Sequence, residues 1–328
     1  MKKLSSFFVI LLFGVLLVGC SNRVSTPSDQ GTTGEGFSKV NQEQGETTEK
    51  GGNSAEIPAP GSAPSEGEAA DKVALDFDDV KTPVEAMERF TEAATRAPEQ
   101  KTRDRLFRGL LAWMEENAAG VVPFYGNHLQ VAEAVGKEKE YDPRALIEEL
   151  NTTFLENPER IPDEEFRRVV EAMAENGLAL ATAEGDVWPV LNYRFLKDRF
   201  AQVLSRELRD YLEIRAAFLN IYNEGYVVIP WDQLADNIMQ MEEFIKNYPD
   251  SPEYEKVKEL YQRELNSYLG GTYGDQVQQD LRESYCRFLD RYEGSDTCAI
   301  VKEFYHLLEQ NDFKKTEQVD DFLKRVKQ

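Results

Sequence analysis

The chain has 328 residues, 60 of them acidic and 38 basic, for a formal net charge of −22. A surface this acidic repels phosphate backbones and anionic headgroups, which argues against nucleic acid as a partner. Histidine occurs only twice, and His128 and His306 lie far apart with no companions at ligand spacing. His-based zinc sites and nucleophile triads are therefore poorly supported, and neither a metal nor a cofactor is expected.

In chain order, the first feature is a basic start, Met1-Lys2-Lys3, followed by the apolar run Phe7 to Val18. That run is shorter than the ~20 residues a spanning helix needs, so it reads as a cleavable export segment. It ends in Leu17-Val18-Gly19-Cys20, which resembles the bacterial lipobox. The resemblance implies cleavage between Gly19 and Cys20, a thioether-linked diacylglycerol on Cys20, and a further acyl chain on the new amino terminus. Two or more chains, at about 0.8 kcal/mol per buried methylene, anchor a protein stably to a bilayer. The implied address is extracytoplasmic, at the cell membrane, or at the outer membrane in a host with two. Loss of Lys2 and Lys3 with the signal takes the net charge from −22 to −24.

Residues 20–71 form the next segment, rich in Gly, Ser, Pro, Thr and Glu with almost no large apolar side chains. It cannot bury enough surface to offset its chain entropy, so a disordered tether is expected, with a root-mean-square reach of about 40 Å.

Residues 72–328 are long enough for a substantial core. The expected fold is mainly α: a helical region over 72–198, then a helical repeat region over 199–328. Helices are read over Thr82 to Ala97, Lys101 to Asn117, Arg144 to Leu155 and Asp163 to Asn176. A continuous one is read over Arg199 to Tyr222, where apolar residues recur at three and four. Between them, Leu178 to Thr182 and Val187 to Leu191 flank the turn-like Glu184-Gly185-Asp186, predicting one small β-hairpin near 178–191 with Pro189 on an edge strand.

From Pro230 a self-match appears at an offset of 44: Phe244, Tyr248, Ser251, Val257 and Tyr261 recur as Phe288, Tyr292, Ser295, Val301 and Tyr305, with Lys258-Glu259 repeated as Lys302-Glu303. Each copy reads as a helix ending at a tyrosine, a tight turn, and a second helix running back. The segment Phe244 to Pro252 resembles the Phe-x-x-x-Tyr-Pro-x-Ser turn of tetratricopeptide-like repeats in bacterial envelope proteins. It departs from that class in its offset, which exceeds the usual period of about 34, in Val257 where a small residue is usual, and in Glu293 where the first copy has Pro249. The resemblance implies a concave surface for a peptide or protein, with Tyr248, Tyr261, Tyr292 and Tyr305 as candidate contacts. The alternative is that these rings pack hairpin against hairpin. The body is also similar to helical lipoproteins of Gram-positive bacteria, which implies a compartment but no activity.

Three further candidates carry chemistry. Glu184 and Asp186 beside Trp188 are the carboxylate pair to test for acid and base roles in sugar cleavage, against the plainer reading of a solvated turn. Asp76, Asp78 and Asp79 suggest calcium only faintly, because the glycine and distal glutamate of a calcium loop are missing. Cys286 and Cys298 flank the turn at Tyr292 to Asp296, one on each helix. They form either a disulfide, permitted outside the cytoplasm, or two separate buried thiols. The expectation is thus a lipid-anchored interaction module of the cell envelope, held to the bilayer through Cys20 and binding a protein or peptide. The alternatives are a wall hydrolase acting near the hairpin and a solute-binding lipoprotein, the latter disfavoured by the scarcity of alternating strands and helices.

Overall fold

Thr82 opens the first helix, α1 (Pro83–Arg96), through a capping box. Its Oγ1 accepts from the Glu85 amide at 3.3 Å, while the Glu85 carboxylate accepts from the Thr82 amide. Pro83 stands at a first-turn position where its missing N–H leaves no partner unsatisfied. The computed structural model in which this is seen describes residues 75–328 apart from 123, 138–140, 220, 224–225, 274–275 and 328. Gly19, Cys20 and the segment expected to form a tether through residue 71 lie outside the described residues.

The fold is mainly α, with twelve α-helices among the described residues. After α1, α2 (Gln100–Val121) runs back along it and leads to the short strand β1 (Gly126–Asn127) and α3 (His128–Ala134). Next come α4 (Pro143–Glu149), continued by one π-turn over Leu150–Phe154, and α5 (Glu164–Glu175), capped by Asp163. The hairpin follows as β2 (Leu178–Ala183) and β3 (Asp186–Leu191), then α6 (Tyr193–Phe200). Phe90, Phe107 and Phe200, from α1, α2 and α6, meet edge to face with centroids 5.5, 5.0 and 5.7 Å apart. That geometry suits the ring quadrupoles and centres the first core.

The hairpin is larger than one edge pair. β1 joins it to make a three-stranded antiparallel sheet in the order β1-β3-β2, which puts Pro189 in the middle strand rather than at the edge expected for it. Proline is tolerated because β1 pairs only with Asp186 and Val187, so the outer side of β3 carries no ladder at Pro189. The outer side of β2 is closed differently. The Asn151 carboxamide accepts from the Leu180 amide at 2.7 Å and donates to its carbonyl at 2.8 Å, standing in for a strand. Glu184 and Gly185 form the two-residue turn with φ of 52° and 87°, the left-handed values that hairpin closure requires.

The single helix expected over Arg199 to Tyr222 is two. α6 ends at Phe200 and α7 (Arg206–Ala217) begins after Ser205, whose side chain caps the Leu208 amide. α2 forces the break: Asp104 accepts from the Ser205 amide at 3.0 Å, and Gln100 donates to the Val203 carbonyl at 2.9 Å. These bonds take backbone groups that an unbroken helix would use internally.

Beyond α7 the chain alternates tiny hairpins with long helix pairs. Strands β4 (Tyr222–Asn223) and β5 (Tyr226–Val227) precede α8 (Trp231–Asn247) and α9 (Tyr254–Gly270). Strands β6 (Thr272–Tyr273) and β7 (Gln276–Val277) precede α10 (Gln279–Arg291) and α11 (Asp296–Gln310), and α12 (Glu317–Val326) closes the described chain. Two residue pairs matched at the offset of 44 make like contacts. Phe244 packs on Tyr248 at 5.0 Å and 58°, and Phe288 packs on Tyr292 at 4.9 Å and 53°. One continuous hydrophobic core runs from α1 to α12 without a gap at residues 198–199.

Candidate functional site

Where the first helical region meets the repeats, a cleft of about 880 Å³ opens, within the range of roughly 300–1,000 Å³ typical of ligand sites. Trp188 and Val190 of β3 contribute to its sheet wall, Asn151 and Thr152 of the π-turn stand beside them, and Phe218, Tyr222 and Gln233 line the repeat side. The wall therefore alternates ring faces with amide and hydroxyl groups.

A tight network fixes one end. Arg215 of α7 lies over the Tyr193 ring at 4.2 Å, donates to Tyr211 Oη at 2.7 Å and Glu115 Oε1 at 3.1 Å, and also donates to Tyr193 Oη. Tyr193 Oη donates to Glu115 Oε1 at 2.8 Å, and Lys256 Nζ reaches Glu115 Oε2 at 3.2 Å. Burial pushes the Tyr193 phenol well up, and the Glu115 charge adds to this against the opposing Arg215. The phenol is thus a neutral donor. Burial also raises Glu115, but the Tyr193 hydrogen bond and the Arg215 and Lys256 charges outweigh it, holding the carboxyl below the ordinary glutamate range. A sugar-cleaving acid needs the opposite shift. The cleft is equipped to hold a ligand by stacking and hydrogen bonding.

The carboxylate pair singled out from sequence sits elsewhere. Trp188 lines the cleft, but neither Glu184 nor Asp186 does. Asp186 accepts from Tyr125 Oη, and the Gly185 carbonyl accepts from the His128 amide at 3.0 Å with the His128 ring against it. Here the solvated-turn reading fits the geometry. Asp79 is clamped by the Arg89 fork at 2.7 and 3.0 Å, and no metal-ligating cluster occurs among the described residues. His306 contacts Glu309 on the exposed face of α11.

The four repeat tyrosines are joints of the stack. Tyr248 donates to Asp210 on α7 at 2.8 Å, and its counterpart Tyr292 donates to Asp236 on α8 at 2.5 Å. Tyr261 bonds Thr297 at 2.8 Å, and Tyr305 is buried beside Cys286 at 3.4 Å. Each ring bridges to another helix, the kind of contact the packing alternative expects, while Tyr248, Tyr261 and Tyr292 stay half-buried. Cys286 and Cys298 are not bridged. Cys298 Sγ lies level with the Leu289 carbonyl, 3.9 Å away, while Cys286 lies level with Tyr305. A three-residue offset along the helix is ~4.5 Å, which puts the thiols out of register.

Sequence reading missed the residues that build the cleft. Glu115, Tyr193 and Arg215 are separated by 78 and 22 positions, and only the fold brings them together. The local signal present was Trp188, the ring flanking the hairpin turn. No protein-family model, curated protein or solved structure matches the chain.

Proposed function

We propose that this chain is a membrane-tethered, extracytoplasmic binding module of the bacterial cell envelope, which holds a segment of a partner protein in the cleft between its first helical region and its repeats. The observation that carries the binding role is the cleft itself, in which ring faces and hydrogen-bonding groups converge on elements fixed by one core. The tether rests on Leu17-Val18-Gly19-Cys20 and on the composition of residues 20–71. No helix among the described residues is long and apolar enough to cross a membrane.

The binding role is tested by placing a photoreactive side chain at Gln233, which is exposed in the cleft, and illuminating intact cells. A discrete protein adduct is expected there and not from Lys302 on α11. No adduct from Gln233, or the same adducts from both positions, contradicts the role. The tether is tested by fatty-acid labelling: wild type takes up label and Cys20→Ser does not, whereas label surviving that change rules out the anchor.

A further inference from the structure

Tyr222 walls a second groove, on the far side of the β4–β5 hairpin. This groove holds about 690 Å³, bounded by the hairpin, the start of α8, the end of α9 and α12. Its wall carries Arg263, Lys315, Lys324 and Lys327 against a single carboxylate, Asp320. In a chain of net charge −22 this is a local reversal of sign. Arg263 is set in place by Glu264 at 2.9 Å and by the Phe218 and Tyr222 rings at 5.2 and 5.8 Å. Lys324, in the last turn of α12, and Lys327, at its C-cap three positions on, are both exposed. Asp321 accepts from Lys324 at 2.9 Å, and Lys315 lies 3.7 Å from Asp320.

Between the charges the wall is apolar. Trp231, Tyr226, Val227 and Leu323 contribute to it. Trp231 is held against Gly271, where a Cβ would collide with the indole, and its ring packs at 6.4 Å on Tyr268. The groove therefore offers fixed apolar contacts beside exposed ammonium groups.

We propose that this groove continues the cleft past Tyr222 and receives an acidic, apolar-containing stretch of the partner protein. The inference rests on the cleft being a binding seat and adds the chemistry of what it binds. Two features favour a protein segment over a uniform polyanion. Asp320 sits within the wall, where a chain bearing one unrelieved charge per unit meets repulsion and a mixed segment does not. A dense polyanion also brings more negative charge against the net negative surface of the whole molecule than a short acidic stretch does.

The test measures binding of the full-length chain to a labelled peptide alternating Glu with Leu. Its competitors are the same peptide with Lys for Glu, and polyphosphate. The acidic peptide is expected to bind saturably, more weakly at high salt, and about tenfold more weakly to the double variant Lys324→Glu, Lys327→Glu. Both substitutions lie on exposed positions, and unchanged helical circular dichroism verifies folding. Neither competitor displaces the peptide. Failure of the acidic peptide to bind, indifference to the double variant, or displacement by the Lys peptide overturns the proposal. Displacement by polyphosphate at matched charge reassigns the groove to polyanions in general and equally overturns it. A Gln233 adduct that persists alongside such a result leaves the binding module standing and removes only the acidic segment. Absence of the Gln233 adduct removes the module reading whatever the peptide does.

Discussion

Glu242 shows how one carboxylate ties two repeats together. It is buried on α8, and it accepts from the amides of Asp296 and Thr297 at 3.2 and 2.9 Å and from the Thr297 hydroxyl, with Lys246 as its counter-charge. The carboxylate thereby caps the positive end of α11. Burial alone raises its pKa, but the bonds from Lys246 and Thr297 outweigh that and hold it below the ordinary value of 4.5. With the folded pKa depressed, the stabilisation is complete above the unfolded value of about 4.5 and is lost as pH falls through the folded one. Glu115 acts in the same direction. The thermal midpoint followed by circular dichroism should therefore fall as pH drops below about 4.5. Glu242→Gln should cost about 2 kcal/mol at neutral pH and flatten part of that fall, since amide donors are left poorly matched. An unchanged acid limb in the variant contradicts the capping role.

At the scale of the element, the repeat makes a comparative prediction. Tyr248 and Tyr292 occupy equivalent positions, pack on equivalent phenylalanines and donate to aspartates on earlier helices, Asp210 on α7 and Asp236 on α8. Tyr248→Phe and Tyr292→Phe should each cost about 1 kcal/mol in urea unfolding, and similarly, because each removes one hydroxyl and keeps the ring. A large cost at one and none at the other contradicts the equivalence. These tyrosines also mark the limit of what sequence reveals. Their offset of 44 and the apolar spacing place the helices, but Asp210 and Asp236 lie 38 and 56 positions from them, so joint and binding surface look alike in sequence. The interruption at 201–205 was hidden for the same reason, since Asp104 stabilises it from 101 positions away. The hairpins β4–β5 and β6–β7 are two-residue strands, too short to show alternation. The β2–β3 hairpin was legible because its turn chemistry is local.

Across the whole molecule, α2 is bound to both helical regions. Arg108 donates to Glu207 on α7 at 2.7 Å and to Glu253, just before α9, at 2.8 and 2.9 Å, and Ser251 bonds Glu207 at 2.8 Å. With a continuous core, the regions should unfold together. Tryptophan supplies the probe, since Trp113 lies on α2 and Trp231 on α8. Single-tryptophan variants should report one urea midpoint, and Arg108→Ala, leaving the buried Glu253 without its guanidinium partner, should lower the stability read by both probes equally, by about 2 kcal/mol. Separate midpoints would show two independent units. That rigidity is what lets Trp188 and Gln233, from different regions, face one cleft. The most direct test of the account is the Gln233 photoadduct in intact cells, compared between the otherwise wild-type chain and one also carrying Trp188→Ala at equal abundance. The account predicts at least a fivefold loss of adduct, in line with removal of a central aromatic contact; an undiminished adduct would contradict binding in the cleft.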